Sequence, residues 1–183
     1  MAGLHFVGIS GSLRRQSTNT GLLRAAQKVL PEGATMEIVD LLDIPLYNPD
    51  HPEKPASVQR VFAQLAKADA LVLACPEYNY SIAPALKNII DWASREPNNA
   101  LLAGKAAAIM GAGGGMGTSR SQYHLRQVCV YLDVHPLNKP EFFANAFAGG
   151  FDTNGDLTDP QLQKMLADQM AALARWATQL KKA

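Results

Sequence analysis

Cysteine is scarce in this chain, and neither sign of charge predominates. Only Cys75 and Cys129 occur among the 183 residues, and they are not in a CxxC spacing. This usage predicts two buried thiols in a reducing compartment rather than a disulfide framework or a metal site. Seventeen basic and sixteen acidic residues give a formal net charge of +1. So even a balance argues against a nucleic-acid binder or a polybasic membrane anchor.

Long hydrophobic runs are also missing. No segment approaches the roughly 18 to 20 apolar residues of a membrane span, and the start of the chain has no cationic stretch ahead of an apolar one. We therefore expect a cytoplasmic protein without a membrane partner. At 183 residues with 48% hydrophobic residues, the chain is expected to form a single domain over residues 1–183.

The one motif that begins like a metal loop is Asp152-Thr153-Asn154-Gly155-Asp156. Its glycine stands at the fourth position instead of the sixth, and position twelve is a glutamine instead of the glutamate of a calcium loop. The segment therefore predicts a turn, and no metal site is expected.

Short apolar strands alternate with helical patterns along the chain. The patterns predict strands over residues 4–10, 36–40, 69–75 and 105–110, with a weaker one between 133 and 143. They predict helices beginning near Thr18, over 58–65, over 86–93, over 125–132 and after an N-cap and first-turn pair at Asp159 and Pro160. Such alternation predicts an α/β fold with a doubly wound parallel sheet. Ligands in these folds bind at the carboxyl ends of the strands, which here lead into loops 10–19, 76–83 and 111–119.

The first loop joins a helix N-terminus to short hydroxyl and amide side chains and two guanidiniums, Arg14 and Arg15. Unpaired backbone N–H groups and guanidiniums suit a phosphate monoester. The glycine fingerprints of dinucleotide sites and of P-loops are absent. An ordinary capped loop with surface arginines is the alternative.

The second loop, residues 76–81, offers backbone amides and two tyrosines beside a buried strand, which would suit a flat heteroaromatic ring. The third loop has five glycines over Gly111–Gly117, which would allow close approach to a ligand or merely a flexible connection. Thr118, Ser119 and Arg120 follow, and they would meet either the edge of a flavin or an incoming nicotinamide phosphate.

Five segments in this order resemble the NADPH-dependent FMN reductase family. They are Gly11-Ser12-Leu13-Arg14 with Ser17 and Asn19, residues 76–81, 86–92, 122–127 and 138–142. The last two look more narrowly like the bacterial chromate and quinone reductase branch, and the resemblance spans about residues 4 to 145. The chain departs from the branch in its glycine-richer third loop.

The resemblance implies a flavodoxin-like five-stranded sheet of order 2-1-3-4-5, noncovalently bound FMN, and a homodimer or homotetramer. It implies that NADPH or NADH reduces quinones, chromate or azo compounds by ping-pong hydride transfer at flavin N5, without a catalytic side chain. The implied phosphate ligands are Ser12, Arg14, Ser17 and Asn19, with backbone contact from Thr18. Around the ring it implies Pro76, Glu77, Tyr78, Asn79 and Tyr80, with Ala112 and Gly113 on the far side.

The fourth helix indicates self-association. Besides its core face it carries a second, aromatic-containing side of Tyr123, Gln127, Val130 and Tyr131, which a monomer would leave uncovered. The resemblance further suggests that Arg120, Tyr123 and Glu141 form a polar network with the partner subunit's Tyr80. His124 is expected to be a surface residue.

Three alternative functions stay open at this point. A flavodoxin-type electron carrier would typically be strongly acidic, unlike this chain. An FMN reductase would instead release reduced FMN to a monooxygenase, and a non-enzymatic module would sense redox state through bound flavin.

Overall fold

The computed structural model describes residues 3–50 and 53–182, so the ends of the expected domain at residues 1, 2 and 183 lie outside the described residues. The strands are β1 (Leu4–Ser10), β2 (Ala34–Val39), β3 (Ala70–Ala74), β4 (Glu77–Tyr78), β5 (Ser81–Ile82), β6 (Ala106–Gly113), β7 (His135–Pro136) and β8 (Phe142–Asn145). The helices are α1 (Thr18–Lys28), α2 (Ala56–Lys67), α3 (Pro84–Ala93), α4 (Ser119–Tyr131) and α5 (Pro160–Leu180), with a 3₁₀ turn at Pro97–Asn99.

The main sheet is parallel throughout and has the order β2-β1-β3-β6-β7, with β8 also paired to β6. The hairpin of β4 and β5 lies outside this sheet. Counted along the main sheet, the predicted order 2-1-3-4-5 and the doubly wound flavodoxin-like fold are therefore confirmed. The fifth position differs from the prediction because two short pieces, β7 and β8, share it.

Both faces of the sheet are covered, because successive side chains of a strand point to opposite faces. Val7 and Ile9 of β1 join the core under α2, α3 and α4. Phe6, which directly precedes Val7 along the strand, points to the opposite face and joins the core under α1 and α5. This two-layer burial explains why the strands are near-continuous apolar runs.

The predicted helix starts coincide with caps. The Ser17 side chain accepts a hydrogen bond from the backbone N–H of Thr20, at the start of α1. Asp159 accepts from the N–H groups of Gln161 and Leu162, with Pro160 in the first turn of α5. Each cap satisfies N–H groups that have no partner inside the helix.

Two local predictions need correction. The fourth strand of the sheet, β6, continues to Gly113, so residues 111–113 of the predicted third loop belong to the strand. The strand is longer than predicted because β8 pairs with residues 110–113. The segment expected to be an irregular loop after β3 contains the β4–β5 hairpin. Within residues 3–50 and 53–182, none of the helices combines the length and the apolar character needed to cross a membrane.

Candidate functional site

A cavity of about 390 Å³ opens at the carboxyl ends of β1, β3 and β6. This volume falls within the range of about 300–1,000 Å³ typical of small-molecule sites. The cavity brings together ten of the twelve residues expected to bind the cofactor: Ser12, Arg14, Ser17, Thr18, Asn19, Pro76, Glu77, Tyr78, Ala112 and Gly113. Asn79 and Tyr80 do not line it.

The first loop reaches the cavity as the N-terminal end of α1. Because Ser17 caps the helix by accepting from Thr20, its hydroxyl hydrogen is left to donate to a ligand. The N–H groups of Thr18 and Asn19 belong to the first turn, where no intrahelical acceptor exists. Arg14 is exposed at the rim of the cavity, and the described chain gives its guanidinium no ion pair. This donor set suits an anionic phosphate.

Asn19 has a different side-chain role from the one expected. Its amide nitrogen donates to the Ala112 carbonyl at 2.9 Å, and its amide oxygen accepts from the Ala112 N–H at 3.0 Å. The buried side chain therefore ties the start of α1 to the end of β6. Any phosphate contact from Asn19 falls chiefly to its backbone N–H.

The second loop forms a tight hairpin. Tyr78 pairs with Ser81 across a two-residue turn, in which Asn79 and Tyr80 have φ values of 50° and 66°. Positive φ at both central residues is what a type I′ turn requires, and it is unusual for tyrosine. Pro76, Glu77 and Tyr78 lie on the cavity wall, and the turn residues Asn79 and Tyr80 are not among its lining residues.

Glu77 joins this hairpin to α4. Its carboxylate, only 8% exposed, accepts from the backbone N–H of Arg120 at 3.1 Å and from the Arg120 Nε at 2.6 Å. Thr118, the N-cap residue, makes no side-chain cap bond, so Glu77 caps α4 from another element. The hydrogen bond to Glu77 raises the pKa of Arg120 above its ordinary value.

The Arg120 guanidinium also stacks on the Tyr80 ring of the same chain, 3.7 Å from the ring centroid. Tyr123 and Glu141 form a separate pair, in which Glu141 also accepts from Lys139 at 2.6 Å. The Lys139 hydrogen bond lowers the pKa of Glu141, and the bond from Tyr123 adds to this effect. Within one chain the four expected network residues thus divide into two groups, and the network between subunits stays a prediction.

The far wall of the cavity comes from a segment that the sequence analysis did not assign to the site. Gln16 of the first loop and Gly114 of the third loop also line the cavity. The far wall itself is formed by Ala146, Phe147, Phe151, Asp152, Thr153 and Gly155. These residues follow β8, whose carboxyl end lies at the same edge of the sheet as the ends of β1 and β3. The general rule for ligand sites in such sheets points to this segment once the fifth strand is located.

The turn expected at residues 152–156 is confirmed. The Asp152 carboxylate accepts from the N–H groups of Asn154 and Asp156. Gly155 packs so closely on α1 that a Cβ atom on Gly21 would lie 1.8 Å from its carbonyl oxygen. This contact presses the turn against the capped start of α1 and closes that side of the cavity.

The two cysteines are both buried. Burial raises the pKa of Cys75 to about 11 and that of Cys129 to about 12, so both thiols stay protonated at neutral pH and are poor nucleophiles. No group of three or more His, Cys, Asp or Glu residues arranged to hold a metal occurs in the described ranges. His124 is exposed, as expected, and its Nδ1 lies 3.0 Å from the Ser81 hydroxyl.

Comparison with known proteins shows which protein family this chain resembles. The family model described as NADPH-dependent FMN reductase matches residues 4–149. An NAD(P)H-dependent FMN reductase of Pseudomonas aeruginosa is 48% identical over 178 residues, covering 96% of each chain. An NAD(P)H:quinone oxidoreductase of Solanum tuberosum is 47% identical over 182 residues, covering 95% of this chain and 93% of the relative.

A solved structure gives the same result for the fold. The flavoenzyme FerB of Paracoccus denitrificans, an NAD(P)H:(acceptor) oxidoreductase, superposes with a TM-score of 0.86 at 29% identity. The alignment covers 96% of this chain and 98% of FerB.

Proposed function

This chain belongs to the NADPH-dependent FMN reductase family, and we propose on that basis that it is an FMN-dependent NAD(P)H:quinone oxidoreductase. The observation that carries the proposal is the 390 Å³ cavity, in which a capped helix N-terminus and a free guanidinium lie at one end and a hairpin wall at the other. The polar end fits a phosphate, and the walls formed by Pro76, Tyr78 and Phe147 fit a flat ring.

Phosphate binding falls to the first loop. The Ser17 hydroxyl, the N–H groups of Thr18 and Asn19, the Ser12 hydroxyl and the Arg14 guanidinium are the donors available there. The positive end of the α1 dipole adds to the attraction for a dianion. None of these groups changes during the reaction, so their work is to retain and orient the cofactor.

The hairpin and β6 supply the ring site. When bound, FMN supplies an isoalloxazine ring that takes a hydride from a nicotinamide and passes reducing equivalents to an acceptor. The chain contributes position and exclusion of water. Glu77 and Arg120 brace the hairpin against α4, and Asn19 fixes the backbone of Ala112 opposite it. No side-chain nucleophile is required.

Quinones are the acceptors we propose, because relatives named as quinone oxidoreductases cover nearly the whole chain. Chromate and azo compounds are further candidate acceptors, since an exposed reduced flavin reacts with many electron-poor molecules. NADPH and NADH are both candidate donors. A cytoplasmic location without nucleic-acid or membrane partners is in keeping with the net charge of +1.

We also propose that the active form is a homodimer or homotetramer of a single-domain chain, residues 1–183. Val130 and Tyr131 on α4 are each 81% exposed, and Tyr123 is 55% exposed. This face adjoins the Tyr123–Glu141 pair and the hairpin beside the cavity. Burying it against another copy would remove a contiguous apolar surface from water.

The first test is an absorbance spectrum of the purified protein, before and after adding NADPH without oxygen. Flavin bands that bleach, and recover when a benzoquinone is added, are the expected result. Absence of flavin bands after FMN reconstitution would contradict the cofactor and the reaction together.

A second candidate is release of reduced FMN as a product, which the name of the Pseudomonas relative favours. Gel filtration of the reduced protein without oxygen separates the two. Flavin that coelutes with the protein supports the quinone reductase, whereas flavin that elutes separately supports release. A flavodoxin-type carrier would consume almost no NADPH in the same preparation.

A further inference from the structure

A second cavity of about 340 Å³ lies beside the first, outside the carboxyl ends of β1 and β2. The two cavities share Ser12 and Arg14. The remaining lining residues are Ser10, Leu13, Arg15, Thr20, Ile38, Val39, Asp40, Leu41 and Leu42. The phosphate loop therefore has a different cavity on each side, and only one of them is accounted for by FMN.

The charges at this second cavity are free to meet a ligand. Arg14 and Arg15 are both exposed, and neither forms an ion pair with any described residue. In contrast, Arg24, Arg60 and Arg120 each pair with a carboxylate. Two unpaired guanidiniums on one short loop attract a phosphate more strongly than a lone surface arginine does.

The walls suit a nucleoside. Leu13 and Leu42 are 49% and 70% exposed, and the buried Val39 and Leu41 form the floor. Asp40 follows directly after β2, and its carboxylate accepts a hydrogen bond from the N–H of Leu42 at 3.0 Å. In dinucleotide-binding sheets an acidic residue near this position holds the ribose 2′-hydroxyl of NAD, whereas a nearby arginine accommodates the 2′-phosphate of NADP. Arg15 lines the same cavity and supplies such an arginine.

We propose that this second cavity binds the phosphorylated adenosine end of NADPH, and that Arg15 recognises the 2′-phosphate. The inference rests on the proposed function, because the nicotinamide at the other end of the same molecule must reach the ring in the first cavity. The shared residues Ser12 and Arg14 make the two cavities contiguous. Arg14 lies between the flavin phosphate and the incoming dinucleotide, where two anions need a cation between them.

The geometry favours Arg15 over the other candidate for a donor phosphate. Arg120, which follows the third loop, is the alternative, but its guanidinium is held by Glu77 and stacked on Tyr80. Arg15 lines the second cavity and does not line the first. Its removal is therefore expected to alter recognition of the donor without removing a ligand of FMN.

The kinetic test compares two donors that differ only in the 2′-phosphate. In the FMN-loaded protein, we expect Arg15→Gln to raise the ratio of the KM for NADPH to the KM for NADH about tenfold, through loss of a charge-assisted hydrogen bond. Arg15→Lys keeps the positive charge and loses the planar guanidinium fork. Its ratio of KM for NADPH to KM for NADH should therefore lie between those of the wild type and Arg15→Gln. Arg175→Gln, at an exposed arginine of α5, is the matched control and should leave the ratio unchanged.

A binding measurement tests the cavity without turnover. Calorimetry with adenosine 2′,5′-bisphosphate should show tighter binding than with adenosine 5′-monophosphate, and Arg15→Gln should remove the difference. Equal affinities for the two nucleotides, or a KM ratio that Arg15→Gln leaves unchanged, would overturn the inference.

Failure of the inference is distinguishable from failure of the proposed function. If wild-type flavin is bleached by a nicotinamide while Arg15→Gln changes both KM values equally, the reductase stands and the second cavity is not its donor site. If no nicotinamide bleaches the flavin, the proposed reaction fails, and the nucleotide affinities still decide what the cavity binds.

Discussion

At the scale of single residues, side chains that look alike in the sequence do different work. Ser12 and Asn19 both stand in the loop whose composition suits a phosphate. The structure leaves the Ser12 hydroxyl on the cavity wall, with one long hydrogen bond of 3.4 Å from the N–H of Arg14. It gives both halves of the Asn19 amide to the backbone of Ala112.

Asn19→Ala should therefore destabilise the protein even without flavin. The substitution leaves the buried N–H and carbonyl of Ala112 without their side-chain partner, at a cost of about 1–3 kcal/mol. Urea denaturation of the flavin-free protein measures the free energy of unfolding directly. A residue that only bound the FMN phosphate would show no such loss, because the flavin-free protein contains no phosphate for it to bind.

Ser12→Ala is the matched control for that experiment. It should weaken FMN binding while changing the unfolding free energy of the flavin-free protein by less than about 0.5 kcal/mol, as surface substitutions usually do. If both variants lose the same stability, the distinction drawn between the two residues is wrong.

At the scale of elements, the contact between α1 and the 152–156 turn has the strictest steric requirement. Gly21→Ala would bring a methyl group against the carbonyl oxygen of Gly155, a backbone atom that cannot turn aside. Overpacking of this kind costs about 1–3 kcal/mol, although alanine inside a helix normally gains up to about 1 kcal/mol over glycine. Thermal unfolding should show a lower midpoint for the variant.

The comparison is Gly115→Ala, since a Cβ atom there meets nothing within 4 Å. It should leave the midpoint nearly unchanged. A neutral or stabilising Gly21→Ala would mean that α1 and the turn are farther apart than the structure shows.

The elements also show what the sequence can and cannot predict. The sequence predicts well those strands that are buried along their whole length, such as Ala70–Ala74, because they form continuous apolar runs. It also predicts helices with one apolar stripe, because their apolar residues recur at helical spacing. β7 is two residues long and contains Pro136, so its pairing depends on β6 and on no local preference. The same holds for the hairpin at Glu77–Tyr78 and Ser81–Ile82.

Prediction of the cavity had the same limit. Three of its walls follow strands that the sequence locates well, and those loops contained the residues expected there. The wall of residues 146–155 follows the interrupted fifth strand, whose end the sequence did not fix. The capping role of Glu77 is a tertiary contact with a helix 42 residues later, which no local pattern carries.

At the scale of the whole molecule, stability at low pH depends on charges at the amino ends of the strands. Asp69 is partly buried, which by itself would raise its pKa. Hydrogen bonds from Lys181 at 2.5 Å and from the N–H of His5 at 2.8 Å outweigh burial, and the pKa is lowered. The carboxylate thus joins β1 and β3 to the end of α5.

A carboxyl whose pKa is lower in the folded protein stabilises the fold above its unfolded pKa, about 3.9 for aspartate, and loses that effect as the pH falls through the folded pKa. Asp69→Asn should therefore flatten the dependence of unfolding free energy on pH below about pH 4. Denaturation across a pH series measures the slope. Asp168→Asn, at an exposed residue of α5, should leave it as in the wild type.

Self-association is the second property of the whole molecule. Val130→Asp places a charge on the exposed face of α4, where burial against another copy would cost several kcal/mol. Sedimentation velocity should show an oligomer for the wild type and a monomer for the variant. Ala66→Asp adds the same charge on α2, at another exposed position, and should keep the oligomer; a monomeric wild type would contradict the proposed assembly.

The contact between Gly21 and Gly155 also determines which part of the chain forms a complete domain. The family match ends at residue 149, yet the turn that closes the cavity and the helix α5 that covers one face of the sheet both lie beyond it. A gene fusion or transplant that ended at residue 149 would carry all the residues that match the family and leave the flavin pocket open on one side. The segment that can fold and bind the cofactor by itself is therefore defined by packing, and it extends through α5.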